Sequence, residues 1–204
     1  VTGVKGITEE GSSPAERLLG AAAELFYREG IRAVGVDTVV DRAGVAKMTL
    51  YNNFGSKDEL VAAYLRARDE RWRAWLEEAS EGRSTPQERL LAVFDALESW
   101  IEGEGGDFRG CAFINATTEI ADPNHPARVV AREHKEWMRE HFVKLASEAG
   151  ARDPEELADQ FVILFEGAIV TAVTRGDTEP TRKARAAAES LLAAGAGDAG
   201  ERVE

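Results

Sequence analysis

Apolar side chains recur along this chain at three- and four-residue spacing, in blocks broken by glycine, proline and capping residues. The first block opens at Ser13-Pro14-Ala15-Glu16, where a serine N-cap, a proline at the first helical position and a glutamate at the third predict a capping box. Leu18, Ala22, Leu25 and Phe26 then share one face until Gly30 stops the helix. Val36, Val39, Val40 and Ala43 line the next face, and Gly44 supplies the left-handed backbone that ends a helix. Val45 turns inward, and Leu50 and Phe54 continue the buried side of a second short helix. Ser56-Lys57-Asp58-Glu59 forms another capping box, launching a long helix with Leu60, Val61, Tyr64, Leu65, Trp72, Trp75 and Leu76.

Gly82 to Thr85 interrupts the pattern, and Thr85-Pro86-Gln87-Glu88 caps a helix with Leu90, Phe94, Leu97, Trp100 and Ile101 inside. A glycine-rich loop, Glu102 to Gly110, precedes a short helix from Cys111 to about Ile120. After Asp122-Pro123-Asn124-His125-Pro126 a long helix runs towards Gly150, with Val130, His134, Trp137, Met138, His141 and Leu145 on one stripe. Asp153-Pro154-Glu155-Glu156 starts the next, to about Thr174, and the last covers roughly Thr181 to Ala194. No segment sustains strand alternation and no repeat stands out. The expected fold class is all-α, with about nine helices.

Composition narrows the function. No apolar run approaches the roughly 20 residues of a membrane span, and the opening VTGVKGITEEGSS lacks the apolar core of a secretory signal. The single cysteine, Cys111, excludes an intramolecular disulfide framework and suits a reducing compartment. A soluble, cytoplasmic protein is expected, with no membrane partner. The net charge of -12 is unusual for a nucleic-acid binder, but residues 61–204 carry 18 basic against 28 acidic side chains, whereas residues 14–60 carry six against seven. The acidity therefore lies mainly behind residues 36–57, and DNA affinity depends on local phosphate contacts.

Residues 36–57 carry the chemistry. With Leu50 and Phe54 buried, the second short helix displays Lys47, Met48, Thr49, Tyr51, Asn52 and Asn53, side chains suited to phosphates and base edges. Two short helices hinged at a glycine form a helix-turn-helix, narrow enough to enter a major groove. A plain helical corner shares the amphipathicity but does not need these polar groups displayed together between two caps.

Leu25-Phe26, Gly30, Ala43-Gly44-Val45, Thr49-Leu50-Tyr51-Asn52-Asn53-Phe54 and Ser56-Lys57-Asp58-Glu59-Leu60 together resemble the TetR family of one-component transcriptional regulators. The match covers about a quarter of the chain. It implies an N-terminal three-helix DNA-binding domain over residues 14–60 and a ligand-binding and dimerisation domain over 61–195, while the Gly-rich, polar opening is expected to form a disordered arm at 1–13 and the chain end a flexible tail at 196–204. It further implies that Lys47, Met48 and Thr49 open the recognition helix in the groove and that Tyr51 presses on a phosphate or base. Asn52 and Asn53 reach bases or backbone, Lys57 grips a phosphate at a helix N-terminus, and Thr38 is a secondary candidate. Two departures stand out. Ala46 replaces the usual capping Ser or Thr, a loss of ~1 kcal/mol, and Gly35-Val36 replaces the Thr or Ser common before the first reading helix.

The helix from Pro154 to Thr174 is apolar nearly all round and needs cover on two sides. In the resembled family the last two helices pair with their symmetry mates as a four-helix bundle. That assigns Phe161, Leu164, Ala168, Ala187 and Leu191 to a homodimer interface. Large aromatics interleaved with polar groups suggest a pocket for a small, mostly apolar or aromatic effector, with candidates Trp72, Trp100, Phe113, Asn115, Glu119, His134, Trp137, Met138, Phe165 and Glu166. Core packing is the alternative for each aromatic. His134 and His141 lie on one face without a metal motif, and Cys111 is either packing or a redox sensor. No cofactor is implied. The regulator is expected to be a repressor on a palindromic double-stranded operator; the alternative is a helical ligand-binding protein or enzyme, for which no catalytic motif is present.

Overall fold

The computed structural model describes residues 12–195. Among them are nine α-helices: α1 (Pro14–Glu29), α2 (Val36–Ala43), α3 (Lys47–Phe54), α4 (Lys57–Ser80), α5 (Pro86–Glu104), α6 (Ala112–Glu119), α7 (Pro126–Glu148), α8 (Pro154–Arg175) and α9 (Glu179–Gly195). A 3-10 turn covers Gly105–Asp107, and no strand occurs among the described residues. The expected arm falls on residues 1–13 and the tail on 196–204, almost wholly outside the described residues.

The described residues form two compact units, 12–72 with 103–134, and 73–102 with 135–195. This division departs from the boundary read after residue 60. Ala112, Phe113 and Ala116 of α6 and Ala127, Val130 and Ala131 of α7 share one core cluster with Leu18, Phe26, Val39, Leu50, Leu60 and Leu65. Apolar area removed from water therefore ties α6 to the three N-terminal helices. The capping box of α1 forms as expected: Glu16 N donates to Ser13 Oγ at 3.2 Å, and Ser13 N donates to Glu16 Oε2 at 2.7 Å. Tyr27 Oη donates to Gly110 O at 3.0 Å and accepts from Arg109 N at 2.9 Å, which pins the segment before α6 to α1.

The second unit is built around four phenylalanines. Phe94 of α5, Phe142 of α7 and Phe161 and Phe165 of α8 meet mostly edge to face, with centroids 5.8 to 6.4 Å apart. α8 and α9 pack along each other, with Ala168, Ala172, Ala184 and Ala188 buried. Arg185 pairs with Asp95 at 2.8 Å and Arg182 with Glu98 at 3.2 Å, linking α9 to α5. Contrary to the expectation that no run is long enough, α8 has the length and apolarity to cross a membrane, with a mean hydropathy of 1.5. It is nonetheless packed into this unit through Phe161, Phe165 and Ile169.

His141 stacks on Trp137 with ring centroids 5.0 Å apart. Burial holds its imidazole below the usual value, nearby Lys144 adds to the effect and Glu148 opposes it. The unfolded chain therefore takes up a proton near pH 6.5 (about the reference value) that the folded chain takes up only at lower pH. The associated stability is present above that value and is lost as pH falls through the window below it. In urea titrations at pH 7.5 and 5.5 (roughly a unit either side of the reference value), His141→Gln should show a smaller loss of midpoint on acidification than the parent. An equal loss in both would remove His141 from the account.

Candidate nucleic-acid interface

The turn between α2 and α3 forms as its residues demand. Gly44 sits at φ 63°, ψ 40°, its N–H donating to Asp41 O, and Val45 N donates to Val40 O at 3.1 Å. A side chain other than glycine is strained at this φ. Val39, Val40, Ala43 and Leu50 are buried beneath the turn, with Val45 and Phe54 half-buried beside them. Arg17 Nε donates to Ala43 O at 3.2 Å, and Arg42 holds Glu24 at 2.7 Å, so the C-terminal turn of α2 is tied to α1 twice. These two arginines were not legible in the sequence, because nothing local marks a charged residue whose partner lies on another helix.

The outer face of α3 is the displayed surface. Met48 is 65% exposed and Tyr51 41%, unusual exposure for large apolar side chains. Lys47, Asn52, Asn53 and Thr38 are exposed and Thr49 half-buried. Lys47 Nζ lies 2.8 Å from Asp37 Oδ1, an exposed pair that a phosphate can replace at little cost. Asn53 Nδ2 donates back to Thr49 O at 2.7 Å. Neither Gly35 nor Ala46 contributes a side-chain cap, so the first amides of α2 and α3 lack one.

Lys57 is placed differently from the phosphate grip the sequence suggested. Its side chain is half-buried, and Nζ donates to Ile31 O at 2.6 Å and lies 5.8 Å from the Phe26 ring centroid. The loop carbonyl occupies the charge, so Lys57 braces the α1–α2 connection instead of projecting outward.

The ligand candidates divide between the units. In the first, His134 stacks on Phe113 with centroids 3.7 Å apart, and its Nδ1 lies 2.7 Å from Asp69 Oδ1. Trp72 is buried in the same unit. Asn115 and Glu119 line a cavity of 210 Å³ with Tyr27, Gly30, Tyr64 and Arg109. Glu119 Oε2 also accepts from Arg32 N at 2.8 Å, fastening α6 to the α1–α2 connection. In the second unit, Trp100 packs edge-on against Trp75. Trp137 stacks on His141, and the Arg73 guanidinium lies 4.3 Å from its ring centroid. Glu166 pairs with Lys135, while Phe165 and Met138 are core residues.

The dimer candidates also separate. Phe161 and Ala168 are buried within their own chain, so their contacts are internal. Leu164 and Leu191 are half-buried, and Ala187 is exposed. The side of α8 facing solvent carries Ile163 at 71%, Val170 at 55% and Val173 at 42% exposure.

Comparison with known proteins agrees with this geometry. Residues 18–64 match the bacterial regulatory proteins of the tetR family, and residues 86–188 match the tetracyclin repressor-like C-terminal domain. The chain is 34% identical to the HTH-type transcriptional activator FasR of Mycolicibacterium smegmatis, over 55% of this chain and 50% of FasR. It is 35% identical to the HTH-type transcriptional repressor KstR2 of Mycobacterium tuberculosis, over 42% of each. It thus spans half or less of these two relatives. The crystal structure of SCO4454, a TetR-family transcriptional regulator from Streptomyces coelicolor, superposes with a TM-score of 0.80 at 31% identity, covering 90% of this chain and 97% of that one. A tetR-type head, a tetracyclin-repressor-like C-terminal region and a nearly full-length structural counterpart place the chain in the TetR family of DNA-binding transcriptional regulators.

Proposed function

We propose that this chain is a cytoplasmic, homodimeric repressor that reads a palindromic operator through α3 and releases it when a small, mostly apolar or aromatic effector binds. The observation that carries the reading is the exposure of Met48 and Tyr51 on a helix whose other side is anchored by fully buried Leu50. Such a helix is a rigid rod with an outward reading face, and a dimer presents two of them to half-sites about 34–36 Å apart or a multiple of this. The exposed stripe of Ile163, Val170 and Val173 on α8 supports dimerisation, because a second copy would take it out of water. FasR is named an activator and KstR2 a repressor, and the repressor reading follows the commoner habit of the family. An effector acts by favouring the conformer that cannot dock both heads, and only its differential affinity for that conformer counts.

Tyr51→Ala tests the reading face. A groove contact is worth about 1–3 kcal/mol per head, so operator affinity should fall at least tenfold (about 1.4 kcal/mol) in a mobility-shift assay with the promoter region flanking the gene. The thermal midpoint should stay put, since Tyr51 is 41% exposed. Unchanged DNA binding by this variant would move the interface off α3. An enzyme built on the aromatic residues, the rival reading, predicts no shift of that promoter by the parent protein either.

A further inference from the structure

The first unit contains a cleft of 740 Å³ between α1 and α4, lined also by Gly103 and Glu104 at the end of α5 and by Asp107 of the 3-10 turn. None of the candidate effector residues lines it. One wall is apolar, made by Leu19 and Ala23 of α1 and Ala67 of α4. Its floor is a cluster of guanidinium groups. Arg68 lies over the Tyr27 ring at 4.1 Å, its side chain 10% exposed, and Arg68 and Arg71 approach the same oxygen, Glu104 Oε1, at 3.4 and 3.0 Å. The rim charges are matched among themselves, Arg28 with Asp107 at 3.1 Å and Arg42 with Glu24 at 2.7 Å, with Glu24 also 3.7 Å from Arg28.

A second observation concerns volume. Gly20 in the middle of α1 and Gly103 in the last turn of α5 both line the cleft. A Cβ built on either meets nothing within 4 Å, and neither has a positive φ. Glycine weakens a helix relative to alanine, and here no steric or conformational demand explains it. What glycine preserves at both positions is open space in the cleft. Burial and the neighbouring Arg68 hold the Arg71 guanidinium below its usual value and Glu104 opposes them; an added anion acts in the same direction as Glu104.

From this geometry we infer that the α1–α4 cleft is a binding site for a small organic carboxylate, its apolar body against Leu19, Ala23 and Ala67 and its carboxylate on Arg71. A guanidinium fork fits a carboxylate with two parallel hydrogen bonds. Glu16, Glu24 and Asp107 around the mouth disfavour a multiply charged phosphate, and the apolar wall disfavours a bare inorganic ion. The occupant touches α1, the helix tied to α2 through Arg17 and Arg42, so the site sits beside the reading head. It shares Tyr27 and Tyr64 with the 210 Å³ cavity that Asn115 and Glu119 line, but none of the candidate effector residues. The assignment does not depend on which effector those residues take.

Calorimetric titration of the full chain with octanoate and benzoate, against octanamide, benzamide and inorganic phosphate, tests the site. The carboxylates should bind, with the amides and phosphate at least tenfold weaker, a charge-assisted pair being roughly twice as strong as a neutral one. Arg71→Leu and Gly20→Phe, one removing the charge and the other filling the space, should each weaken octanoate at least tenfold, by about 1.4 kcal/mol or more. Both should leave the helical circular dichroism unchanged, and Gly20→Phe keeps the proposal testable if Arg71→Leu unfolds. No binding of either carboxylate overturns the inference, as does binding that survives Gly20→Phe, which would place it elsewhere. Equal binding of phosphate would show a site for charge alone and overturn it too. Loss of operator binding by the unliganded parent bears on the proposed regulator and leaves this titration intact.

Discussion

Val170→Glu should convert the proposed dimer to monomers and remove detectable operator binding. Val170 is 55% exposed in the single chain, so the carboxylate meets water there and the fold of the second unit stands. In an interface with twofold symmetry the same stripe is used twice, so one substitution buries two carboxylates. Each buried, uncompensated charge costs several kcal/mol, more than a helix-pair interface can absorb. The consequence for DNA is larger than that for assembly, because linking two heads raises avidity by about 10²–10⁴ without any new contact. Light scattering coupled to gel filtration reads the first effect and a mobility shift the second, with Thr171→Glu as a milder neighbour on the exposed side of the same helix. A Val170→Glu protein that stays dimeric would put the interface somewhere other than α8. The same stripe bears on the membrane-like composition of α8: its inner side faces Phe94 and Phe142, and its outer side carries the exposed Ile163, Val170 and Val173 that the proposed dimer would cover.

What the residues announced in advance was local. The Ser13 capping box, the Gly44 turn and the absent cap at Ala46 are each settled within a few positions of chain, and the structure reproduces all three. What stayed hidden depends on partners far away in sequence. Lys57 stands at a helix start, where a phosphate contact is the natural reading, but its ammonium donates to Ile31 O, 26 residues back. Glu119 reads as a polar group on a buried face awaiting a ligand, and it is the Arg32 amide, 87 residues away, that satisfies it. α8 shows the limit most plainly. A helix apolar on every side has no periodicity to say which face is inward, so Phe161 and Ala168 could not be told from Ile163 and Val170 before packing decided between them. Aromatic content likewise marked the middle helices as pocket or core without dividing them, and Phe165 and Met138 went to core.

Phe142→Ala should lower stability more than the loss of any half-buried ring, and its effect should be confined to stability. Phe142 is fully buried and meets Phe94, Phe161 and Phe165 at centroid distances of 6.4, 5.8 and 6.1 Å. Removing it loses the transfer energy of a whole ring and leaves a cavity walled by three other rings, one on α5 and two on α8. Rings held edge to face cannot slide inward without losing their own contacts, so the cavity persists. Truncations of this kind cost about 3–5 kcal/mol. For a domain of this size that corresponds to a drop in thermal midpoint on the order of 10 °C. Phe142→Leu refills most of the space and should recover much of the loss. Trp100→Ala, at a half-buried ring packed edge-on against Trp75, should cost less than Phe142→Ala. Urea titrations of the three variants rank them directly. A Phe142→Ala cost near 1 kcal/mol would mean that the cavity collapses, contrary to the cost expected of rings that cannot close up. The reading face stands on Leu50 and Val39 in the other unit, so operator affinity measured below the unfolding range should change far less than it does for Tyr51→Ala.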